Sequence, residues 1–497
     1  MFRFLPFSGK CQPLITQHAI PAVLGMLCFF AGCGSPHTPT SNETPSKVVL
    51  AEPNPLANYR GENSCAAAAC HGSLAPSASG IGQNEFRLFH ENGDPHTSAH
   101  LKLGNDLSQD IIRRLAGEKQ EDPSTIRQIY EWCFRCHNTS TEDVPTTIVT
   151  TSKLHQHEGV SCEACHGPSE SWISSHWQNP ADDTLLVKSP ELLESVFSRQ
   201  SRRVDSKDLQ TRAAICTRCH VGESAGDVNH DLIAAGHPLM QFEFSMYYRG
   251  WPKHWTRNDH PDEGNETLSW DLWLSGQKLT TLRSLKLLAA RADRSRSEVP
   301  FPVGTWPELA EMDCVSCHHK LTGENRKVSA GNPIPSRLTT PWRIASRTLN
   351  NSFHEDLTRL RDKLKERWIP DQTAISGLAR QAYSQLVDLP PDHWGSDIRK
   401  ISKFAGHMTI QDAETATRLY LALQAAELSF GEDQPGRLER LHQFDSLKAA
   451  LELREVYSSD RKVIRSSSLR DVETRRRIHK QFSELLNQLT PLIDSNP

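Results

Sequence analysis

The sequence lacks a long hydrophobic run beyond residue 33, and it has no long stretch of charge of one sign. Because a membrane-spanning helix needs about 20 consecutive apolar residues, the body of the chain is expected not to cross a bilayer. Acidic and basic residues nearly cancel, with a formal net charge of −4, which argues against nucleic acid as a partner. No strand-rich region is evident, so a mainly α-helical chain with much irregular loop is expected.

The N-terminus has the features of an export signal. Within residues 1–33, a basic start precedes an apolar run at residues 19–30, and Cys33 follows two small residues. This pattern resembles a bacterial lipoprotein signal, in which cleavage before the cysteine leaves a lipid on Cys33. The alternatives are an ordinary secretory signal or an uncleaved anchor. We expect an exported protein, in the periplasm or cell envelope, attached to the membrane by an N-terminal lipid.

Cysteine and histidine are abundant, with 13 Cys and 23 His. After Cys11, Cys28 and Cys33 are assigned to the signal region, ten cysteines remain, and each belongs to a pair followed directly by histidine. Four pairs have the form Cys-x-x-Cys-His, and the first has a four-residue gap. In chain order, motifs 1 to 5 are Cys65, Cys70 and His71; Cys133, Cys136 and His137; Cys162, Cys165 and His166; Cys216, Cys219 and His220; and Cys314, Cys317 and His318.

These motifs predict covalent haem attachment. Chance would produce only on the order of a hundredth of a Cys-x-x-Cys-His match in a chain of this composition. Two thiols at this spacing reach the two vinyl groups on one porphyrin edge, and the adjacent imidazole binds the iron as the proximal ligand. A disulfide framework or half of a zinc site would not require a histidine directly after the second cysteine. We therefore expect five covalently attached haem c groups, with a looser loop at motif 1.

The sixth iron ligand is expected to be histidine at most haems, because methionine is scarce and histidine is plentiful between residues 90 and 260. His319 cannot bind the iron of His318 from the opposite face, so it is expected to ligate a neighbouring haem. The preferred distal candidates are His96, His176, His237 and His319, followed by His157 and His230. His155 remains an open alternative to the last two.

Three segments resemble the cytochrome c-554 group, which shares haem-packing motifs with hydroxylamine oxidoreductases and pentahaem nitrite reductases. They are Asp94-Pro95-His96, residues 158–168 and residues 228–232, and the similarity covers about residues 60–320. The resemblance implies electron transfer between closely stacked haems, with a link to nitrogen compounds, and some members keep one iron five-coordinate. Two features depart from it. The group's named member has four haems, and no Cys-x-x-Cys-Lys motif, which marks the catalytic haem of nitrite reductases, is present here.

The chain is expected to contain a flexible tether at residues 34–63, a pentahaem domain at 64–325 and a helical C-terminal domain at 340–497. In the pentahaem domain, short helices and loops would wrap stacked haems, and the short sequence step from His137 to His166 suggests that those two haems are neighbours. Leucine spacing predicts one long helix at residues 268–292. Further helices are predicted at residues 357–368, 372–387, 410–428, 438–457 and 469–489.

The leading functional hypothesis is an electron-transfer cytochrome that exchanges electrons with donor and acceptor proteins and uses no catalytic acid or base. The alternative is a haem oxidoreductase in which one iron stays open for nitrite, nitric oxide or hydroxylamine. The haem at His71 is the first candidate for that open iron, because its attachment loop is unusual. A role as a subunit of a larger membrane-attached assembly is compatible with the first hypothesis.

Overall fold

A computed structural model describes the protein over several separate stretches of the chain. They are residues 59–75, 83–140, 143–178, 186–188, 193, 196–197, 202–224, 226–240, 242–255, 268–294, 306–311, 351–366, 369–387, 413–429, 434–451 and 472–495. Motifs 1 to 4 fall within them. Motif 5, His319, the signal region with Cys33, and residues 34–58 of the expected tether lie outside the described residues.

The first part of the fold consists of short helices joined by loops. These are α1 Glu85–Glu91, α2 Asp106–Ala116, α3 Pro123–His137, α4 Thr151–Leu154 and α5 Cys162–His166, with 3₁₀ turns at Glu62–Ser64, Pro95–Ser98, His100–Gly104 and Gly117–Lys119. The start of α3 shows why the helices begin where they do. The Asp122 carboxylate accepts hydrogen bonds from the backbone N–H groups of Ser124 and Thr125, and Pro123 occupies the first helical position.

The middle part contains the described strands and three more helices. Strands β1 Leu186–Val187 and β2 Arg203–Val204 pair in parallel, with Leu186 opposite Arg203. Helices α6 Leu209–His220, α7 His230–Ala235 and α8 Phe244–Gly250 follow, and a 3₁₀ turn spans Leu309–Glu311. Helix α7 packs on α2, which connects this part to the first one.

Helix α9, Leu268–Arg294, organises the rest of the structure. It packs against α6 and α8 on the haem-motif side. It also packs against two helices of the C-terminal part, α11 Gln372–Val387 and α12 Ala413–Leu428. The predicted leucine face is confirmed, since the five leucines that predicted it are all buried. They are Leu272, Leu279, Leu282, Leu285 and Leu288.

The C-terminal part is helical in all its described stretches, as predicted. Besides α11 and α12 it contains α10 Asn351–Glu366, α13 Arg437–Ala450 and α14 Val472–Ser495. Helix α11 has the predicted bounds, whereas α10 begins earlier than the apolar pattern indicated. Helices α10 and α11 contribute buried side chains to a hydrophobic cluster that also contains residues of β1, β2, α6 and α9. Phe353 of α10 and Ala379 of α11 belong to this cluster together with Leu285 of α9.

The expectation of a mainly α-helical chain with much irregular loop is confirmed. The described strands contribute one short parallel pair, and the segments between the early helices are largely turns and loops. Within the described stretches, no helix has the length and apolar character required to span a bilayer.

Candidate haem-binding site

Three of the described motifs are built into helices. Motif 2 forms the C-terminal turn of α3, motif 3 is helix α5, and motif 4 forms the C-terminal turn of α6. Helical spacing places cysteines three residues apart on the same face, with the histidine one position further along. Motif 1 instead forms a wider turn, in which the His71 N–H donates to the Cys65 carbonyl at 3.2 Å. Its longer gap therefore has a direct structural counterpart.

The eight cysteines of motifs 1 to 4 are all free of disulfide bonds. Desolvation raises the pKa of Cys133 and of Cys216 to about 12, and it also raises the pKa of Cys165. Thiols in such surroundings stay protonated at neutral pH and behave as small apolar groups. Cysteine pairs that form no disulfide bond and that stand next to a histidine fit covalent haem attachment.

Each proximal histidine of these four motifs faces one other histidine from a distant part of the chain. The ring-centroid separations are 6.2 Å for His71 and His176, 6.5 Å for His137 and His237, 6.5 Å for His166 and His254, and 6.1 Å for His220 and His96. The rings of the first pair are nearly parallel, at 15°, and those of the other pairs are 78° to 89° apart. Four pairs therefore share one spacing.

That spacing matches two imidazoles bound to opposite sides of one metal ion. A bond from metal to imidazole nitrogen is about 2.0 Å, and the ring centre lies roughly 1.1 Å behind the nitrogen, which gives a centroid separation of about 6.2 Å. Desolvation lowers the pKa of His166 and of His220 to about 3, so both rings are neutral at pH 7. Neutral imidazole is the form that binds iron. The residues present therefore fit haem iron.

Six of the eight paired rings are held through Nδ1. The His71 ring bonds the Glu85 carboxylate at 2.9 Å, and the His96 ring bonds the Asp94 carboxylate at 2.8 Å. Backbone carbonyls or a hydroxyl group hold four others, namely His137 to Ala99 at 3.0 Å, His176 to Ile173 at 2.9 Å, His237 to Pro238 at 2.8 Å and His166 to Ser206 at 3.3 Å. Such contacts leave Nε2 for a metal and fix the ring orientation.

The structure separates the predicted distal candidates. His96, His176 and His237 each face a proximal histidine, whereas His157 lies against Phe134 with ring centroids 5.2 Å apart. His230 begins α7, and its backbone N–H donates to the Glu308 carboxylate at 2.8 Å. Iron binding by these residues stays a prediction, and His319 lies outside the described residues.

His254 was not among the preferred distal candidates predicted from the sequence, although it lies opposite His166 in the structure. Its ring packs edge to face against Trp251 and Trp255, with centroids 5.9 and 5.0 Å away. The sequence feature that could have indicated His254 is its position between two tryptophans within a segment of five residues. No turn marks this residue, so the criterion that selected His96 and His237 passed over it.

Two glycines allow the chain to bring these histidines into place. A Cβ atom on Gly159 would lie 2.3 Å from the His96 carbonyl oxygen, because the loop before motif 3 crosses directly over the turn that carries His96. The N–H of Val160 donates to that same carbonyl at 2.9 Å. Gly236 ends α7 with φ of 121°, a conformation that suits glycine and that directs the chain into His237.

Motif 3 is tied to the start of the described chain by Glu163, which lies between its two cysteines. The Glu163 carboxylate is buried and accepts hydrogen bonds from three backbone N–H groups, those of Arg60, Gly61 and Ser169, at 2.7 to 3.1 Å. Because Arg60 and Gly61 lead directly into motif 1, this carboxylate connects the backbones of motifs 1 and 3.

Residues 64–167 match the family model described as cytochrome c554 and c-prime. This segment is similar to the cytochrome c-554 family. The similarity supports a haem-based redox cytochrome with covalently bound haem c and its iron. The matched segment contains motifs 1 to 3, and it ends directly after His166. No curated protein and no solved structure matches the chain.

Proposed function

We propose that this protein is an exported pentahaem cytochrome that transfers electrons between partner proteins through mostly bis-histidine iron sites. The main support for this proposal is the repeated separation of 6.1 to 6.5 Å between the ring centroids of a motif histidine and a distant histidine. Bound haem c would supply a one-electron iron couple at each site. Two histidines on every iron suit electron transfer, because they keep the coordination the same in both oxidation states.

Contacts between cysteines of different motifs support a specific spatial order. The thiols of Cys65 and Cys162 interact electrostatically, which brings motif 1 beside motif 3. Those of Cys136 and Cys219 do the same for motifs 2 and 4. Since each cysteine marks the edge of its own porphyrin site, these sites adjoin at their edges.

Motifs 3 and 4 are connected from both sides. After desolvation, the electrostatic effect of the Cys216 thiol is the largest cause that raises the pKa of Cys165, which indicates that the two thiols are close together. On the distal side, Trp251 contacts both His96 and His254, with ring centroids 6.2 and 5.9 Å away. The resulting order is motif 1, motif 3, motif 4, motif 2. The expected adjacency of the haems at His137 and His166 stays a prediction, and it is supported by hydrogen bonds between Thr139, after motif 2, and Gly159 and Ser161, before motif 3.

Motif 1 lies at one end of this order and is the more accessible to a partner protein. Two large apolar side chains beside motif 1 and His176 are open to solvent, Leu74 at 82% and Trp177 at 67%. We assign this end to electron exchange with a redox partner, since interfaces of this kind combine apolar contact with an accessible cofactor edge.

The oxidoreductase alternative needs an iron with an open face. His71 carried that expectation, yet His176 faces it with nearly parallel rings, and the other three described motif histidines each face a second histidine as well. An open iron for nitrite, nitric oxide or hydroxylamine would then be sought at motif 5, which lies outside the described residues. Electron transfer is therefore the function that we propose.

The decisive experiment is an intact-mass measurement combined with a count of spin states. We expect the mature protein, produced in a host with a cytochrome c maturation system, to carry five haem masses and to show at least four low-spin ferric irons by electron paramagnetic resonance. A mass equal to that of the polypeptide alone would overturn the proposal. A high-spin iron that binds cyanide or nitric oxide at motifs 1 to 4 would instead favour the oxidoreductase.

Export and membrane attachment through a lipid on Cys33 form part of the same proposal. Their test is fractionation of cells that produce the full chain or its Cys33→Ser variant, with a labelled fatty acid in the medium. We expect the label and the haem stain in the membrane fraction for the full chain. The variant should lose the label and leave the membrane fraction, and retention of the label in the variant would contradict lipidation at Cys33.

A further inference from the structure

Asp94 connects two aromatic side chains that belong to different iron sites. Its carboxylate is buried, with 1% of the residue exposed. Oδ1 of Asp94 accepts a hydrogen bond from Nδ1 of His96 at 2.8 Å, and Oδ2 accepts one from Nε1 of Trp251 at 2.6 Å. Because an ionised carboxylate only accepts, Nδ1 of His96 is the donor, and Nε2 is left for the iron.

Trp251 extends this connection to the neighbouring site. Its ring lies edge to face between His96 and His254, at 6.2 and 5.9 Å between centroids, with interplanar angles of 78° and 67°. These two histidines face the proximal residues of motifs 4 and 3 respectively. One buried carboxylate and one indole therefore lie between the distal ligands of two consecutive sites.

The hydrogen-bond partners of the six paired rings that are held through Nδ1 are unequal. Carboxylates hold His71 and His96, whereas His137, His176 and His237 bond neutral backbone carbonyls and His166 faces a hydroxyl group. A carboxylate draws the Nδ1 proton more strongly than a carbonyl, so the ring carries more negative charge toward the metal. Extra negative charge on an axial ligand stabilises ferric iron over ferrous iron and lowers the reduction potential.

We propose that Asp94 is a positioning residue that lowers the reduction potential of the iron site formed by His96 and His220, and that Trp251 moderates this effect. The inference rests on the proposed function. Trp251 donates to the same carboxylate, which reduces the negative charge available to His96. Removal of the carboxylate charge and removal of the indole donor should therefore shift this one potential in opposite directions.

The test is a potentiometric titration of the full-length holoprotein, followed by electron paramagnetic resonance so that each low-spin iron is observed separately. We expect Asp94→Asn to raise one midpoint and Trp251→Phe to lower that same midpoint. Glu85→Gln is the matched control at His71, and it should raise a different midpoint. Intact mass confirms that each variant carries the haem complement of the wild type.

Several outcomes would overturn the inference. If Asp94→Asn and Trp251→Phe shift the midpoint in the same direction, the change reflects loosened packing rather than charge. A full haem complement with every midpoint unchanged would refute the role of Asp94 and leave the proposed function standing, whereas a wild-type protein without haem would refute both. If Asp94→Asn loses haem, Trp251→Phe decides, since a lowered midpoint supports the inference and an unchanged or raised one contradicts it.

Discussion

His254 lies opposite His166, with ring centroids 6.5 Å apart and ring planes 78° apart. Desolvation lowers the pKa of His254 to about 4, so the ring is neutral at pH 7. Trp251 and Trp255 hold it edge to face. A neutral ring that is fixed in this way across from a motif histidine has the position and the charge state of a distal iron ligand.

Substitution of His254 tests that assignment directly. We expect His254→Ala to convert one low-spin iron to the high-spin form, because the iron at His166 loses its sixth ligand while its thioether bonds remain. Electron paramagnetic resonance and the visible spectrum of the ferric protein measure the change. Cyanide should bind the new open iron and restore a low-spin signal.

The matched control for this variant is His155→Ala. His155 is exposed, and it was an open distal candidate at the level of the sequence. We expect this variant to retain every low-spin iron. A His254→Ala protein with the spectrum of the wild type would show that another side chain binds the iron at His166, and it would remove His254 from the proposed ligand set.

The sequence predicted the parts of the site that depend on local spacing. The cysteine pairs with their adjacent histidines are readable because attachment chemistry fixes their separation along the chain. The leucine face of α9 was predicted for a similar reason, since helical periodicity is local. Both patterns depend only on residues that are close together in the sequence, and the structure of α9 confirms the leucine pattern.

Distal pairing could not be predicted in the same way, because it depends on which distant segments the fold brings together. His71 and His176 are far apart in sequence, and so are His220 and His96. The turn residues next to His96 and His237 indicated a turn in the backbone, but they did not identify the motif histidine that each of these residues would face. The connection between motifs 1 and 3 could not be predicted either, because it runs through the Glu163 carboxylate and the backbone of Arg60 and Gly61.

Glu163 should contribute to stability more than its surface neighbours do. Glu163→Ala leaves the N–H groups of Arg60, Gly61 and Ser169 without their buried acceptor. Each unsatisfied buried group costs about 1–3 kcal/mol, and part of that cost is recovered where water can enter. We expect the free energy of unfolding to fall by about 2–4 kcal/mol, as measured by urea denaturation of the holoprotein.

Glu170→Ala is the control for Glu163, because Glu170 also pairs with Arg60 but at the surface. The two side chains in that pair are 53% and 39% exposed, so its loss should change the free energy of unfolding by no more than about 0.5 kcal/mol. Equal effects from the two substitutions would show that Glu163 acts as an ordinary surface charge, contrary to the structure.

Asp122 makes the stability of α3 depend on pH. Hydrogen bonds from Thr125 and then Ser124 lower the pKa of Asp122 to about 2, against about 3.9 in an unfolded chain. A carboxyl group with a lowered pKa stabilises the folded state above the unfolded value, and this contribution is lost as pH falls through the folded value. The difference in stability between wild type and Asp122→Ala should therefore be constant above about pH 5 and close between about pH 4 and 2.

Urea unfolding followed by circular dichroism at several pH values measures that difference. Glu118→Ala provides the comparison, since Glu118 is exposed in the turn before α3 and does not cap the helix. For this variant, the difference in free energy of unfolding from the wild type should not decrease in the same way between pH 4 and 2. A gap for Asp122→Ala that persists unchanged to pH 2 would mean that the cap does not act through its charge.

His230 is the remaining predicted ligand, and in the structure it contacts Glu308, which precedes motif 5 in the sequence. Its backbone N–H donates to Glu308, and Glu308 precedes Cys314 by only a few residues in the sequence. Glu308 also accepts from the N–H of Ala310, so it fixes the start of the turn that leads toward motif 5. Each of the four described motif histidines faces a histidine other than His230, so His230 stays a predicted distal ligand for the fifth iron.

We therefore expect His230→Ala to produce one high-spin iron in addition to any present in the wild type, while the four low-spin signals assigned to motifs 1 to 4 stay unchanged. Electron paramagnetic resonance of the ferric holoprotein measures both. His157→Ala is the comparison, because that ring packs against Phe134 rather than facing a motif histidine. If His157→Ala opens an iron and His230→Ala does not, the distal ligand of the fifth site lies on the loop before motif 3, and the assignment of His230 is wrong.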